Sequence, residues 1–383
     1  MTRISPLNSL QRGQWFKLIC GASFQDLPTI RNLVLTYALA GADCVDVAAD
    51  PAVVRAARVA LTVAQDLPTP LPPQLRSPFH RPWLMVSLND GIDPHFRKAS
   101  FDPNQCPADC PRPCETVCPA EAIALPAGIN AARCYGCGRC WPVCPEGLIT
   151  EHPYVSTPSV VIPLVLDLGI EAIEIHTQVG NLAGFRRLWQ VLASQVDRLQ
   201  VLAISCPDHP ELIAYLRALL TIMGDLPCPL IWQTDGRPMS GDLGRGTTHA
   251  AVRLAQKVLA AGLSGYVQLA GGTNEHTVIQ LAERGLLPQT SPDYRPTVAG
   301  VAYGSSARKR LLPIWQQLEQ RGSERLEDHP DLLQRAIALA QRLVQPLKRL
   351  SILPSVGEAI APNSRGSPIT PQGSTSLSAF QSF

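Results

Sequence analysis

Eight of the twelve cysteines in this 383-residue chain lie between positions 106 and 144. The second run reads Cys134-x2-Cys137-x2-Cys140-x3-Cys144-Pro, and the first reads Cys106-x3-Cys110-x3-Cys114-x3-Cys118-Pro. Eight thiols in one short segment need a common purpose, and disulfide pairing does not supply it. The N-terminal stretch MTRISPLNSLQRGQWFK lacks the apolar run of a secretory signal. The longest apolar stretch, VVIPLVLDLGI, is interrupted by Pro163 and Asp167 and is too short to span a bilayer. The chain therefore reads as soluble and cytoplasmic, where thiols are kept reduced. Hydrophobic residues make up 45%, enough for a large core, and a net charge of +2 without a basic block gives no reason to expect nucleic acid. The other cysteines, Cys20, Cys44, Cys206 and Cys228, sit in apolar surroundings and read as small buried hydrophobes.

The second run resembles the bacterial ferredoxin pattern, in which three closely spaced thiolates hold one [4Fe–4S] cluster and the fourth reaches a second cluster. Short gaps let one loop wrap three corners of the cube, and Gly136 and Gly138 allow backbone angles that turn amides toward sulfide. The first run has one extra residue in each of its first two gaps but keeps the x3-Cys-Pro ending. The ferredoxin resemblance implies a crossed arrangement. Cys106, Cys110, Cys114 and Cys144 would serve one cluster, and Cys134, Cys137, Cys140 and Cys118 the other. Zinc is the alternative, although zinc sites usually separate their cysteine pairs by a dozen or more residues.

Outside this segment short apolar strands alternate with helical stretches. Strands are predicted over 15–23, 44–50, 82–90, 171–178, 199–207, 229–236, 265–272 and 297–304, with helices between them that often end in glycine. Eight such units predict a closed (β/α)8 barrel of the TIM type, an α/β fold, over an open doubly wound sheet. The ferredoxin-like 2[4Fe–4S] insert then follows strand three, on the face where such barrels carry function. The boundaries read as 14–90 for the first part of the barrel, 91–155 for the iron–sulfur module, 156–350 for the rest of the barrel with a C-terminal helix, and 351–383 for a disordered tail. The proline-rich stretch 67–82 suits neither helix nor central strand.

Period-two alternation turns a polar set inward: Lys17, Asp46, Asn89, Glu174, His176 and Asp235, with Gln233 and Gln268. Buried charges need partners or solvent, so this set reads as a ligand pocket or as a self-satisfied structural network. Gly271, Gly272, Thr273, Gly304, Ser305 and Ser306 follow strands seven and eight, where many barrels bind phosphate. The alternative is that they serve only to turn strand into helix. In 329–350, Leu332, Leu333, Ala336, Leu339, Ala340 and Leu343 share a helical face, for packing on the barrel or for a partner.

The stretches WFKLICGASFQDLPTIRNLVLTYALAGADCVDVAADPAVV, PWLMVSLNDGIDPHFRKASFDPNQCPADCPRPCE and RCYGCGRCWPVCP resemble the cyanobacterial light-dependent period family over about residues 14–350. That resemblance implies an iron–sulfur component of circadian clock input. It would report the redox state of the photosynthetic plastoquinone pool and associate with clock-input histidine kinases and clock oscillator proteins, with a quinone or another redox partner within its reach. The polar barrel keeps a second class open, an iron–sulfur oxidoreductase acting on a small flavin- or phosphate-bearing ligand, with His176 or Lys17 handling protons. A redox sensor or electron-transfer protein is the preferred reading over a turnover enzyme.

Overall fold

The computed structural model describes residues 5–67, 80–155, 157–237, 245–288 and 296–348. The tail 351–383 and most of the proline-rich stretch lie outside these residues. In chain order the strands begin with β1 (Trp15–Gly21), β2 (Cys44–Ala48) and β3 (Trp83–Asn89). Four short strands belong to the insert, β4 (Arg97–Ser100), β5 (Ile123–Ala124), β6 (Gly128–Ile129) and β7 (Thr150–Pro153). The remaining strands are β8 (Ala172–His176), β9 (Val201–Pro207), β10 (Leu230–Asp235), β11 (Tyr266–Ala270) and β12 (Gly300–Tyr303). The helices are α1 (Pro6–Gln11), α2 (Leu27–Ala40), α3 (Pro51–Asp66), α4 (Pro113–Val117), α5 (Pro158–Asp167) and α6 (Leu182–Leu192), then α7 (Leu212–Met223), α8 (Thr248–Ala260), α9 (Thr277–Glu283), α10 (Ser305–Gln320) and α11 (Pro330–Lys348).

The eight long strands pair in parallel around a closed barrel, β1-β2-β3-β8-β9-β10-β11-β12. Closure is made by β1 on β12, with Trp15 opposite Gly300 and Lys17 opposite Ala302. This excludes the open-sheet alternative. Alternation along each strand sorts the side chains. Phe16, Leu18, Val45, Val47, Ile173 and Ile175 face outward into the core under the helices. Trp15, Cys44, Met85, Ala172 and Ile231 face inward at the N-terminal end, where Leu10 of α1 joins them in a separate apolar plug. The barrel is therefore sealed by apolar side chains at one end, and its polar interior opens at the other.

Leu332, Leu333, Ala336, Ala340 and Leu343 of α11 are buried against neighbours that include α2 and α10, while Leu339 is only partly covered. The apolar face of this helix is consumed by packing. Cys20, Cys44, Cys206 and Cys228 are all buried, as small hydrophobes would be.

The insert leaves the barrel after β3 and returns at α5. Its frame is an antiparallel pair of β4 and β7, with Arg97 opposite Pro153 and Ser100 opposite Thr150. A second small hairpin joins β5 and β6. The insert rests on the loop between β1 and α2. The Gln25 amide donates to the Ala132 carbonyl at 2.9 Å, and the Tyr154 hydroxyl donates to the Ala22 carbonyl at 3.1 Å. From the barrel side, the Arg308 guanidinium lies 4.2 Å over the Tyr135 ring, a cation–π contact. Asn89 does not line the cavity described below. Its amide donates to the carbonyls of Gly91 (2.9 Å) and Tyr154 (2.8 Å), clasping the two ends of the insert.

Candidate functional site

The two cysteine runs fold into one small core. Ala99, Cys114, Ala122, Ile123, Cys134, Cys140 and Ile149 are buried together, with Cys118, Val143 and Cys144 packed partly against them. A small, largely apolar cavity inside it is walled by Cys118, Cys134, Cys137 and Cys140 along with Ala99, Ala122, Ile123 and Ile129. Backbone amides point at the sulfurs: Ala99 N–H reaches Cys134 Sγ at 3.4 Å and Ala122 N–H reaches Cys118 Sγ at 3.3 Å. Gly136 and Gly138 take φ of 70° and 77°, in the left-handed region that glycine tolerates. A Cβ on Gly136 would also lie only 2.3 Å from the Arg97 carbonyl oxygen.

Charge repulsion sorts the thiols the same way. Burial, then Cys137, Cys134 and Cys118, push the Cys140 thiol up to about 12. Burial also raises Cys137, with Cys118 and Cys134 adding to it. In the other group burial raises Cys114, with a further push from Cys144, and burial followed by Cys110 and Cys114 raises Cys106. Cys118 thus stands near Cys137 and Cys140, and Cys144 near Cys114. Thiols crowded this way stay protonated unless a metal takes up their charge. No three cysteine sulfurs among the described residues come within 4.8 Å of one another. Four thiolates bound at about 2.3 Å to a single zinc would stand closer than that. The donor set fits a larger iron–sulfur group.

A second cavity, of about 430 Å³, lies where the insert meets the barrel mouth. Cys137 and Tyr135 of the insert line it, as do Gly271, Gly272, Thr273, Gly304, Ser305 and Ser306 from the loops after β11 and β12. Arg308, Lys309 and Arg310 lend this wall positive charge. Asp46, Glu174, His176 and Asp235 line the barrel side. The two glycine-containing loops, far apart in sequence, therefore converge on one space.

Beneath this cavity the polar interior satisfies itself. Lys17 hydrogen-bonds Glu174, pairs with Asp46 at 3.1 Å and donates to Gln233 at 3.0 Å. Gln233 donates to Glu174 at 2.6 Å, Gln268 donates to Gln233 at 2.6 Å, and Ser87 donates to Asp46 at 2.9 Å. Burial works against the Lys17 charge, but Asp46 and Glu174 outweigh it and raise its pKa. Burial also opposes ionised Glu174, and Lys17 and His176 overcome it, bringing Glu174 down to about 2. Burial disfavours the His176 charge, yet Glu174 and Asp93 raise it to about 9. Burial raises Asp235 despite His95 and His176.

The inward set thus grades with depth: Lys17 lies beneath the cavity, bound to Asp46 and Glu174, and these two carboxylates line the cavity together with His176 and Asp235. Sequence reasoning missed Asp93 and His95. Both lie in the loop after β3, which folds back over the mouth, so that Asp93 stands 2.7 Å from His95 and 3.7 Å from His176. The Asp-x-His pair on the functional side of a barrel strand was the available signal.

A family model described as the LdpA Fe-S cluster-binding domain matches residues 106–155, and one described as the Light dependent period A C-terminal domain matches 164–346. Light dependent period A of Synechococcus elongatus is 55% identical over 350 residues, covering 91% of this chain and 95% of that protein. The chain belongs to the light-dependent period A family. It is therefore an iron–sulfur protein of that family, and its cysteine core coincides with the family's cluster-binding domain. Among solved structures, tryptophan synthase subunit alpha from Legionella pneumophila aligns with a TM-score of 0.40 and 12% identity, covering 91% of this chain and 99% of that one. Geranylgeranylglyceryl phosphate synthase from Thermoplasma acidophilum aligns with a TM-score of 0.37 and 9% identity, covering 90% and 97%. No helix among the described residues of this family member is long and apolar enough to cross a membrane.

Proposed function

We propose that this chain is a cytoplasmic redox sensor carrying two [4Fe–4S] clusters, which passes the state of photosynthetic electron transport, the plastoquinone pool in particular, to circadian clock input. Its partners in this reading are clock-input histidine kinases and clock oscillator proteins. Cys106, Cys110, Cys114 and Cys144 hold one cluster, and Cys134, Cys137, Cys140 and Cys118 hold the other. The observation that carries the reading is the single cavity walled by Cys118 together with all three leading cysteines of the second run. When bound, the clusters supply one-electron transfer. The chain's own residues shield and position them. Ala99 and Ala122 aim amides at sulfur, the apolar lining excludes water, and Arg308 holds the module to the barrel through the Tyr135 ring. Cys106 and Cys110 are less buried than Cys134 and Cys140, while Cys137 reaches the barrel cavity. This order favours electrons entering near the surface and passing inward.

The crossing is tested by paired variants. Cys118→Ser should damage the cluster of the second run, and Cys144→Ser that of the first, each seen as loss of one of two reduced-cluster signals in electron paramagnetic resonance. Damage confined to each variant's own run would contradict the crossed sets.

A second reading, an oxidoreductase acting on a flavin- or phosphate-bearing ligand, draws on the cavity where the Gly271–Thr273 and Gly304–Ser306 loops meet Arg308 and Cys137. Native mass spectrometry of anaerobically purified protein should then show a bound anionic small molecule that is lost on Arg308→Ala substitution. A cavity without such a ligand leaves the sensor alone.

A further inference from the structure

Asp93, His95 and His176 each offer a ligand atom within 4.8 Å of the other two. We propose that they form a mononuclear site for a divalent first-row transition ion, of the zinc or ferrous class, separate from the cysteine clusters and independent of the sensor reading.

The geometry around the two histidines carries the proposal. His95 Nδ1 lies 2.7 Å and His176 Nδ1 lies 3.7 Å from the same Asp93 oxygen. Donors around an ion bound at about 2.0–2.1 Å stand roughly 3–3.5 Å apart, and the observed distances bracket that value. The opposite nitrogen of each ring is held by a different carboxylate. His176 Nε2 is 2.9 Å from Glu174, and His95 Nε2 is 3.2 Å from Asp235. A carboxylate behind each histidine is the usual support of a metal-binding imidazole, since it fixes the tautomer and raises basicity. A neutral imidazole has one N–H. With carboxylates at both nitrogens, each ring carries a second proton, accepts from a protonated carboxyl, or gives one nitrogen to a cation.

The surroundings also suit a dication. Asp46, Asp93, Glu174 and Asp235 are all buried, and Lys17 pairs with only two of them, Asp46 and Glu174. The imidazoles are packed in place, with ring centroids 4.7 Å apart and Phe96 edge-on to His176 at 5.2 Å. His95 and His176 line the cavity at the barrel mouth, and Asp93 and His176 line another beside it, so an ion has access. Three protein donors leave further coordination positions for solvent or a ligand. Two histidines and one carboxylate are a donor set used for zinc and for non-haem ferrous iron.

The probe is Zn2+, equilibrated anaerobically with the cluster-loaded protein and counted by elemental analysis after dialysis. About one zinc per chain should be taken up with no loss of iron. Asp93→Asn and His95→Ala should each weaken uptake at least about tenfold. X-ray absorption at the zinc edge of the unmodified protein should show nitrogen and oxygen neighbours near 2.0–2.1 Å without a sulfur shell near 2.3 Å. The absorption measurement stands even where a variant folds poorly. Absence of zinc uptake, uptake unchanged in both variants, or a sulfur shell would each overturn the proposal.

Discussion

Lys17 is fully buried, and its charge persists because Asp46 and Glu174 surround it. Removing one partner of a buried ion pair leaves the other uncompensated, at a cost of about 3–5 kcal/mol. Lys17→Met should therefore lower the urea midpoint of anaerobic unfolding strongly, and adding Glu174→Gln should recover part of the loss. A Lys17→Met variant as stable as the parent would show that the network contributes nothing. Individual residues differed in how readable they were. The cluster cysteines stand out because their spacing is itself the chemistry, and Gly136 and Gly138 adopt the positive φ that their place in the run suggested. Asn89 shares the strand phase of Met85 and Ser87 on β3, but alternation cannot tell a cavity wall from a clasp on the next loop. Asp93 and His95 carry no periodic signal, because they meet His176 only through the path of a loop.

The barrel strands were legible as elements because parallel strands buried on both faces read as short apolar runs, each followed by an amphipathic helix. The plug formed by α1 was not legible, since six residues with one buried leucine give no pattern at that length. The insert's hairpins escaped for a similar reason, with β5 and β6 only two residues each. One tertiary link between elements has a defined pH signature. Arg31 on α2 binds Glu327, in the turn between α10 and α11, through two hydrogen bonds. Burial raises the Glu327 carboxyl, but Arg31 leads the contacts that bring it down to about 2. A depressed carboxyl stabilises the fold above its unfolded value, near 4.5, and that stability fades as pH falls through about 2. Glu327→Gln should cost about 1–2 kcal/mol at neutral pH, the scale of a charge-assisted bidentate pair. The gap between variant and parent should narrow from pH 5 down to pH 2 in denaturation curves. A gap independent of pH would reject the link.

Across the whole molecule, polarity runs in one direction. The barrel is plugged by apolar residues at its N-terminal end, braced by the Lys17 network in the middle, and open at the mouth to a cavity that the cluster module roofs through Cys137 and Tyr135. Barrel and insert form one compact unit, and Cys137 and Tyr135 of the insert share a cavity wall with the barrel loops. The barrel's share in function was the least readable part of the sequence, because inward polar residues look alike whether they brace one another or face a ligand. The proposed role requires the eight cysteines to grip two iron–sulfur cubes. Iron and acid-labile sulfide analysis of oxygen-protected, natively purified protein tests this most directly. Two such cubes should give about eight labile sulfides and at least about eight irons per chain. A protein with stoichiometric zinc on its cysteines, or with neither iron nor sulfide, would contradict it.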